Sequence, residues 1–235
     1  MKKITLLMAL LFISASTFGQ MYYLPPTPGN PGNLNNDNEY PNGSGLDASW
    51  TLLQGPSGTP TWSANQTVPF PFTFNGASAT TYKVSTTGIL TFSTSASTVP
   101  ASTPAVLPSA SIPDNSICVW GVSGKGSNDA IVTKTFGTAP NRQFWISYNN
   151  YSEQTIFVNH YTYFSIVLEE NSNRIYIVDQ RNFGATPSLT LGVQINSIES
   201  YQIAGSPNYN PLANNSPARS DNKYYTFNPG NQVTN

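Results

Sequence analysis

The 235-residue chain carries 10 basic and 11 acidic residues, a net charge of −1, with 9% of residues charged, one histidine and one cysteine. With no basic cluster it lacks the phosphate-neutralising charge on which nucleic-acid binding rests, and the same balance excludes an anionic membrane surface as a partner. One cysteine closes no internal disulfide, and one histidine with one cysteine supplies too few ligands for a zinc site.

The chain opens on Met1-Lys2-Lys3, an apolar run from Ile4 to about Ala15, and the small-residue exit Ser16-Thr17-Phe18-Gly19-Gln20. A basic head, a short apolar centre and a small residue at the cut are what a signal peptidase reads, so residues 1–20 are expected to be a cleaved export signal. The run falls short of the roughly 20 apolar residues that a spanning helix needs, and no second such run follows, so no membrane span is expected. A lipid anchor would need a cysteine at the cut, and the one cysteine is Cys118. From Met21 to Gly45, Pro25, Pro26, Pro28, Pro31 and Pro41 alternate with Gly and Asn. Residues 21–45 are therefore expected to form a flexible extended arm, from which Tyr22 and Tyr23 can add an edge strand in an assembly.

Beyond Leu46 the periodicity is two. Phe70, Phe72 and Phe74 alternate with Pro and Thr, as do Phe144, Ile146 and Tyr148 with Trp145 and Ser147. The pattern recurs at Phe164, Ile166 and Leu168, at Ile175 and Ile177, and at Leu189, Leu191, Val193 and Ile195. Such alternation places one face of each strand in a core and the other toward solvent. Turn signals punctuate these runs at Asn75-Gly76, Thr87-Gly88, Gly124 to Asp129, Glu170 to Asn173 and Phe183-Gly184, where Asn and Gly tolerate the positive φ of tight hairpins. Ile166 to Ile177 reads as a β-hairpin with Asn171 to Asn173 at its tip. Ser93 to Ser111, rich in Ser, Thr, Ala and Pro, reads as a long crossing loop between sheets. Cys118, inside the run Ile117-Cys118-Val119-Trp120, reads as a small buried core residue. A mature chain of roughly 215 residues buries about 70% of its extended surface, enough for one core. The expected fold is all-β: one antiparallel two-sheet β-sandwich of jelly-roll type over residues 46–228, with a C-terminal tail at 229–235.

The series Val68-Pro69-Phe70-Pro71-Phe72-Thr73-Phe74-Asn75-Gly76 and Tyr82 to Phe92, with the blocks Ala139 to Ile146, Phe164 to Glu170 and Arg174-Ile175-Tyr176, is similar to modules of secreted bacterial β-sandwich proteins. These are cell-surface domains of the Bacteroidota that are themselves nidogen-like and MAM-like. The resemblance covers about Trp50 to Phe227. It implies export by a Gram-negative cell to the periplasm, the cell surface or the medium.

Catalytic chemistry finds little material. His160, between Asn159 and Tyr161, reads as a hydrogen-bonded or solvent-facing strand histidine. Glu169 and Glu170 are adjacent on a strand and point to opposite faces, so they cannot flank one glycosidic bond. Asp114, Asp129, Glu153 and Asp179 sit at strand ends or in loops with nothing marking a pair. Gly121 to Ser127 lacks the spacing of a phosphate loop and no helix follows it. The expectation is that the protein is not an enzyme. No cofactor is required, but Asp114, Asn115, Asn128 and Asp129 flank the Cys118–Gly126 segment and are candidate calcium ligands if they converge, because hard cations take carboxylate and carbonyl oxygens from irregular loops. The other reading of these four is plain turn formation.

Tyr148, Asn149, Asn150, Tyr151 and Tyr161, with Tyr163 nearby, are the candidate ligand-binding residues. Rings beside amides suit sugar faces and protein partners alike, and the competing reading is cross-strand aromatic packing. The function expected is a non-enzymatic adhesion or interaction module that binds a cell-envelope protein, an extracellular protein or matrix through loops or edge strands. The alternative is a lectin-like glycan-binding module for polysaccharide, with calcium as an optional companion. Exposed sheet edges also offer a route to self-assembly.

Overall fold

The computed structural model describes residues 21–37, 49–152, 160–184, 188–212 and 214–230. The expected export signal, the arm boundary at 45/46, Glu153 and the last five residues of the tail lie outside the described residues. In chain order the strands are β1 (Met21–Pro28), β2 (Thr51–Gln54), β3 (Gln66–Thr67), β4 (Thr73–Phe74), β5 (Ala77–Ser78), β6 (Thr81–Val84), β7 (Ile89–Thr91) and β8 (Ser116–Trp120), followed by β9 (Ala130–Phe136), β10 (Gln143–Tyr151), β11 (Tyr161–Glu169), β12 (Ile175–Phe183), β13 (Thr190–Gln194), β14 (Ser200–Gln202) and β15 (Lys223–Pro229).

Two antiparallel sheets face each other. The larger has the order β1-β15-β12-β11-β10-β9-β2, the smaller β14-β13-β8-β7-β6-β3, and β4 and β5 form a separate ribbon. The all-β sandwich is thus present. Its inner core takes Phe144, Ile146, Phe164, Ile166, Leu168, Ile175 and Ile177 from the larger sheet and Val84, Leu90, Ile117, Val119, Leu191 and Val193 from the smaller. Asn-Gly turns do what their backbone freedom allows: Asn75 and Gly76 take φ of 48° and 76° between β4 and β5, and Asn171 and Asn173 take 66° and 53° at the β11–β12 tip.

Three expectations change. Alternation predicted one wet face per strand, yet Trp145, Val167 and Val178 are fully buried on the outer face of the larger sheet, in a second cluster with Trp50, Val132 and Tyr176. Phe136 sits 5.7 Å from Trp50 and 6.1 Å from Trp145, edge-on to both.

Ser93 to Ser111 does not cross between sheets, because β7 and β8 are neighbours in one sheet. The loop folds back over that sheet's outer face instead. Its carbonyls take the indole N–H of Trp62 at Thr98 and of Trp120 at Ala101, and the hydroxyl of Thr190 at Ala105. Its own Leu107 and the adjoining Ile112 pack there with Ile89, Cys118 and Trp120. Cys118 is wholly buried, and desolvation pushes its thiol pKa well up.

The described part of the arm, residues 21–37, is built into the fold. β1 pairs with β15 from Met21↔Pro229 to Pro28↔Lys223, with a shift between Leu24 and Thr27 where Pro25 and Pro26 withhold donors. Met21 is buried in the inner core and Tyr23 packs on Phe227 at 5.9 Å. After β1, Asn222 donates to Asn30 (2.7 Å), and Asp37 accepts from Trp50 Nε1 (2.8 Å) and Lys134 Nζ (2.7 Å). Apolar anchors at Met21 and Tyr23, together with this polar lacing, outweigh the low propensity of a Pro-rich segment.

Candidate functional site

One end of the larger sheet is built around a bulge. The β10–β11 register shifts between Tyr148 and Tyr151, with Asn150 at φ 58° taking up the extra residue. The shift aims both Tyr148 and Tyr151 inward, where they meet edge-on at 5.4 Å and 78° and are wholly buried. Desolvation raises both phenol pKa values well above the ordinary range. Asn149 turns the other way and is also buried, accepting from Ser147 Oγ at 3.1 Å; Ser165 Oγ lies 3.0 Å from Ser147 Oγ and 2.7 Å from Gln180 Oε1. Three of the five candidate ligand residues, Tyr148, Asn149 and Tyr151, are therefore buried in the packing of the fold.

Asn150 and Tyr161 stay at the surface, and strand pairing surrounds Tyr161 with residues that periodicity did not single out. Tyr161 pairs with Phe183 and Tyr163 with Arg181 across β11 and β12. The Tyr161 and Phe183 rings stack at 5.4 Å with 24° between planes, Tyr163 meets Tyr161 edge-on at 5.8 Å, and Phe183 is 44% exposed. The Arg181 guanidinium lies 4.8 Å above Tyr161 and donates to its hydroxyl at 2.9 Å and to Asn215 Oδ1 at 2.8 Å. Lys125 Nζ lies 6.0 Å from the same ring and donates to Asn150 Oδ1 at 2.8 Å. Counting backward from the Asn171–Asn173 tip would have paired the tyrosines with Gln180 and Asn182; the register shift between Tyr163 and Phe164 moves their partners to Arg181 and Phe183, so neither these residues nor the loop residue Asn215 left a signal in the sequence. His160 lies against Gly184, whose φ of +90° and lack of a Cβ make room for the imidazole.

The four candidate calcium ligands do not converge. Asp114 and Asn115 precede β8 and serve the loop at its start: Ser93 Oγ donates to the Asp114 carbonyl at 2.8 Å, and Asn115 Nδ2 donates to Ser93 Oγ at 3.3 Å. Asn128 and Asp129 lie beyond the far end of that strand. Five residues at about 3.3 Å each separate the two pairs, far more than one coordination sphere spans. Asp129 is wholly buried, accepting from the Ser57 N–H at 3.1 Å. Among the described residues no group of three or more His, Cys, Asp or Glu could hold a metal ion.

The remaining acids serve the fold. Glu170 takes a bidentate grip from Arg142, whose hydrogen bonds hold its carboxyl below the usual range. Glu169 instead accepts from Gln143 at 3.0 Å and Ser172 at 2.6 Å. Asp179, fully buried, accepts from Tyr209 Oη and the Leu212 N–H, both at 2.8 Å, with Lys223 Nζ at 3.4 Å; desolvation raises its pKa. Among the described residues no helix is long and apolar enough to cross a membrane.

Compared with known proteins, the chain matches a family model described as NIDO related over residues 47–229. No curated protein and no solved structure matches it.

Proposed function

Because the chain belongs to the NIDO-related family over residues 47–229, we propose that it is a non-enzymatic, exported interaction module of the cell envelope or cell surface that adheres to a protein or matrix partner. The observation that carries this reading is the stacked Tyr161–Phe183 pair, with Phe183 44% exposed and Arg181 held over its neighbour. A rigid aromatic pair with an adjacent guanidinium offers large contact area at low entropic cost, which is how hot spots at protein interfaces are made. The acids Asp179, Glu169 and Glu170, committed to partners within the fold, fit a role without turnover.

The test is cross-linking in the native cell followed by fractionation, comparing the wild-type protein with Phe183→Ala. A partner recovered with the former and lost with the latter supports the reading. Turnover on glycoside or ester substrates by the purified protein would overturn it.

The glycan-binding alternative is favoured by one specific feature. The Phe183 ring, stacked on Tyr161 with 24° between planes, is 44% exposed, and the amides of Asn215 and Asn150 lie in the same cluster through Arg181 and Lys125. A polysaccharide that raises the melting temperature of the wild-type protein, and not of Phe183→Ala, would select this reading.

A further inference from the structure

Beside the stacked rings, a lysine and an asparagine meet within reach of a buried carboxylate's charge. Lys125, in the turn between β8 and β9, donates from Nζ to Asn150 Oδ1 at 2.8 Å. The amide is itself held, since Asn150 Nδ2 donates to the Asn128 carbonyl at 2.7 Å and the residue is locked at φ 58° in the bulge. The third group is Asp129, four residues after Lys125. Its carboxylate is wholly buried, with Oδ2 taken by the Ser57 N–H and Oδ1 without a hydrogen-bond partner. A structural ion pair would bring the ammonium onto the carboxylate. Here the amine addresses a neutral carboxamide, and the acid, close enough for its charge to act on the amine, keeps an unused oxygen.

The geometry points to an intramolecular isopeptide bond between Lys125 and Asn150, formed by the chain itself with Asp129 as the proton carrier. The nitrogen already touches the oxygen bonded to Cγ, so the fold meets the translational cost of bringing the two groups together, and a local rotation that turns the nitrogen lone pair onto Cγ remains. A lysine becomes nucleophilic when desolvation favours its neutral form. Lys125 is half-buried beside the Tyr161 ring, and burial lowers its pKa against the opposing charge of Asp129.

The neutral amine attacks Asn150 Cγ, forming the new C–N bond. Asp129 accepts one proton from the attacking nitrogen and passes it to Nδ2. The Cγ–Nδ2 bond then breaks and ammonia leaves. The products are one secondary amide and one ammonia, with no change of oxidation state and no co-reactant. The bond would fix the Gly124–Asp129 turn to the end of β10 and so stiffen the surroundings of Tyr161, whether the stacked rings receive a protein or a glycan.

Peptide mapping by mass spectrometry of the full chain purified after export tests this. The expected result is a branched peptide joining Lys125 to Asn150, lighter by one ammonia than its two parts, in nearly all molecules. Lys125→Arg and Asn150→Ala, both near the surface and folded by circular dichroism, should give linear peptides only, with a lower melting temperature. Linear peptides at both positions in the folded wild-type protein would overturn the proposal. So would a chain lighter by one ammonia whose peptides are all linear, because a cyclised N-terminal glutamine or a succinimide at Asn150 also sheds ammonia. Undiminished cross-linking in Asp129→Asn would overturn the part assigned to Asp129.

Discussion

At its tip the β11–β12 hairpin is fastened by charge, whereas its open end is dressed with rings. Beside the tip, Arg142 grips both oxygens of Glu170 at 2.8 and 2.6 Å, and Arg174 donates to Asn228 at 2.9 Å. At the open end Arg181 lies over Tyr161 and Tyr163, and Phe183 is partly bare. Bidentate charge-assisted bonds have fixed directions and hold strand register. Stacked rings leave a flat, partly dry surface for something else to cover. The difference separates a region built to hold the fold from one with contact area to spare.

Removing what the two ends share should have the largest effect. Phe164, fully buried midway along β11, should cost about 3–5 kcal/mol on truncation to alanine, read from urea unfolding. Loss of both ends together in a single transition would follow from one inner core; two separate transitions would show that the ends unfold independently.

Next come the acids, which should titrate with opposite signs. Glu170, lowered from 4.5, supplies stability that is complete above that pH and is lost as pH falls through its folded value. Asp179, raised from 3.8, favours the folded state below that pH and loses this contribution as pH rises through its folded value. The melting-temperature gap between wild type and Glu170→Gln should therefore shrink on acidification, and the gap to Asp179→Asn should shift in the other direction. Parallel shifts would contradict the assignment.

The smallest effect on stability is expected at the open end. Phe183→Ala should stay within about 0.5 kcal/mol of wild type, the usual range for surface changes, while abolishing partner capture. A large destabilisation would make Phe183 a packing residue and erase the contrast between the ends.

The strands and most turns were legible in the sequence because alternation and Asn/Gly turns are local signals. The hairpin at Asn171–Asn173 and the burial of Cys118 came from a few neighbouring residues each. What stayed hidden needed knowledge of the other layer. Trp145 and Val178 look solvent-facing by period two until Trp50 and Phe136 are seen against their sheet. β1 looks like tether until β15, two hundred residues on, supplies its hydrogen bonds. At the site, a single bulge at Asn150 decided which way the β10 candidates face, turning Tyr151 inward while leaving Asn150 at the surface. One extra residue in a strand reverses every side chain beyond it, and no composition-based argument registers that.

The pairing of Met21 with Pro229 has a mechanical consequence. Whatever lies before β1 and after β15 departs from a single corner of the sandwich, so tension between the two sides peels that ladder open rung by rung and does not shear it as a whole. Joined to neighbours at both ends, the module would hang as a side pendant, with the load carried by that one ladder and not by the rest of the sandwich.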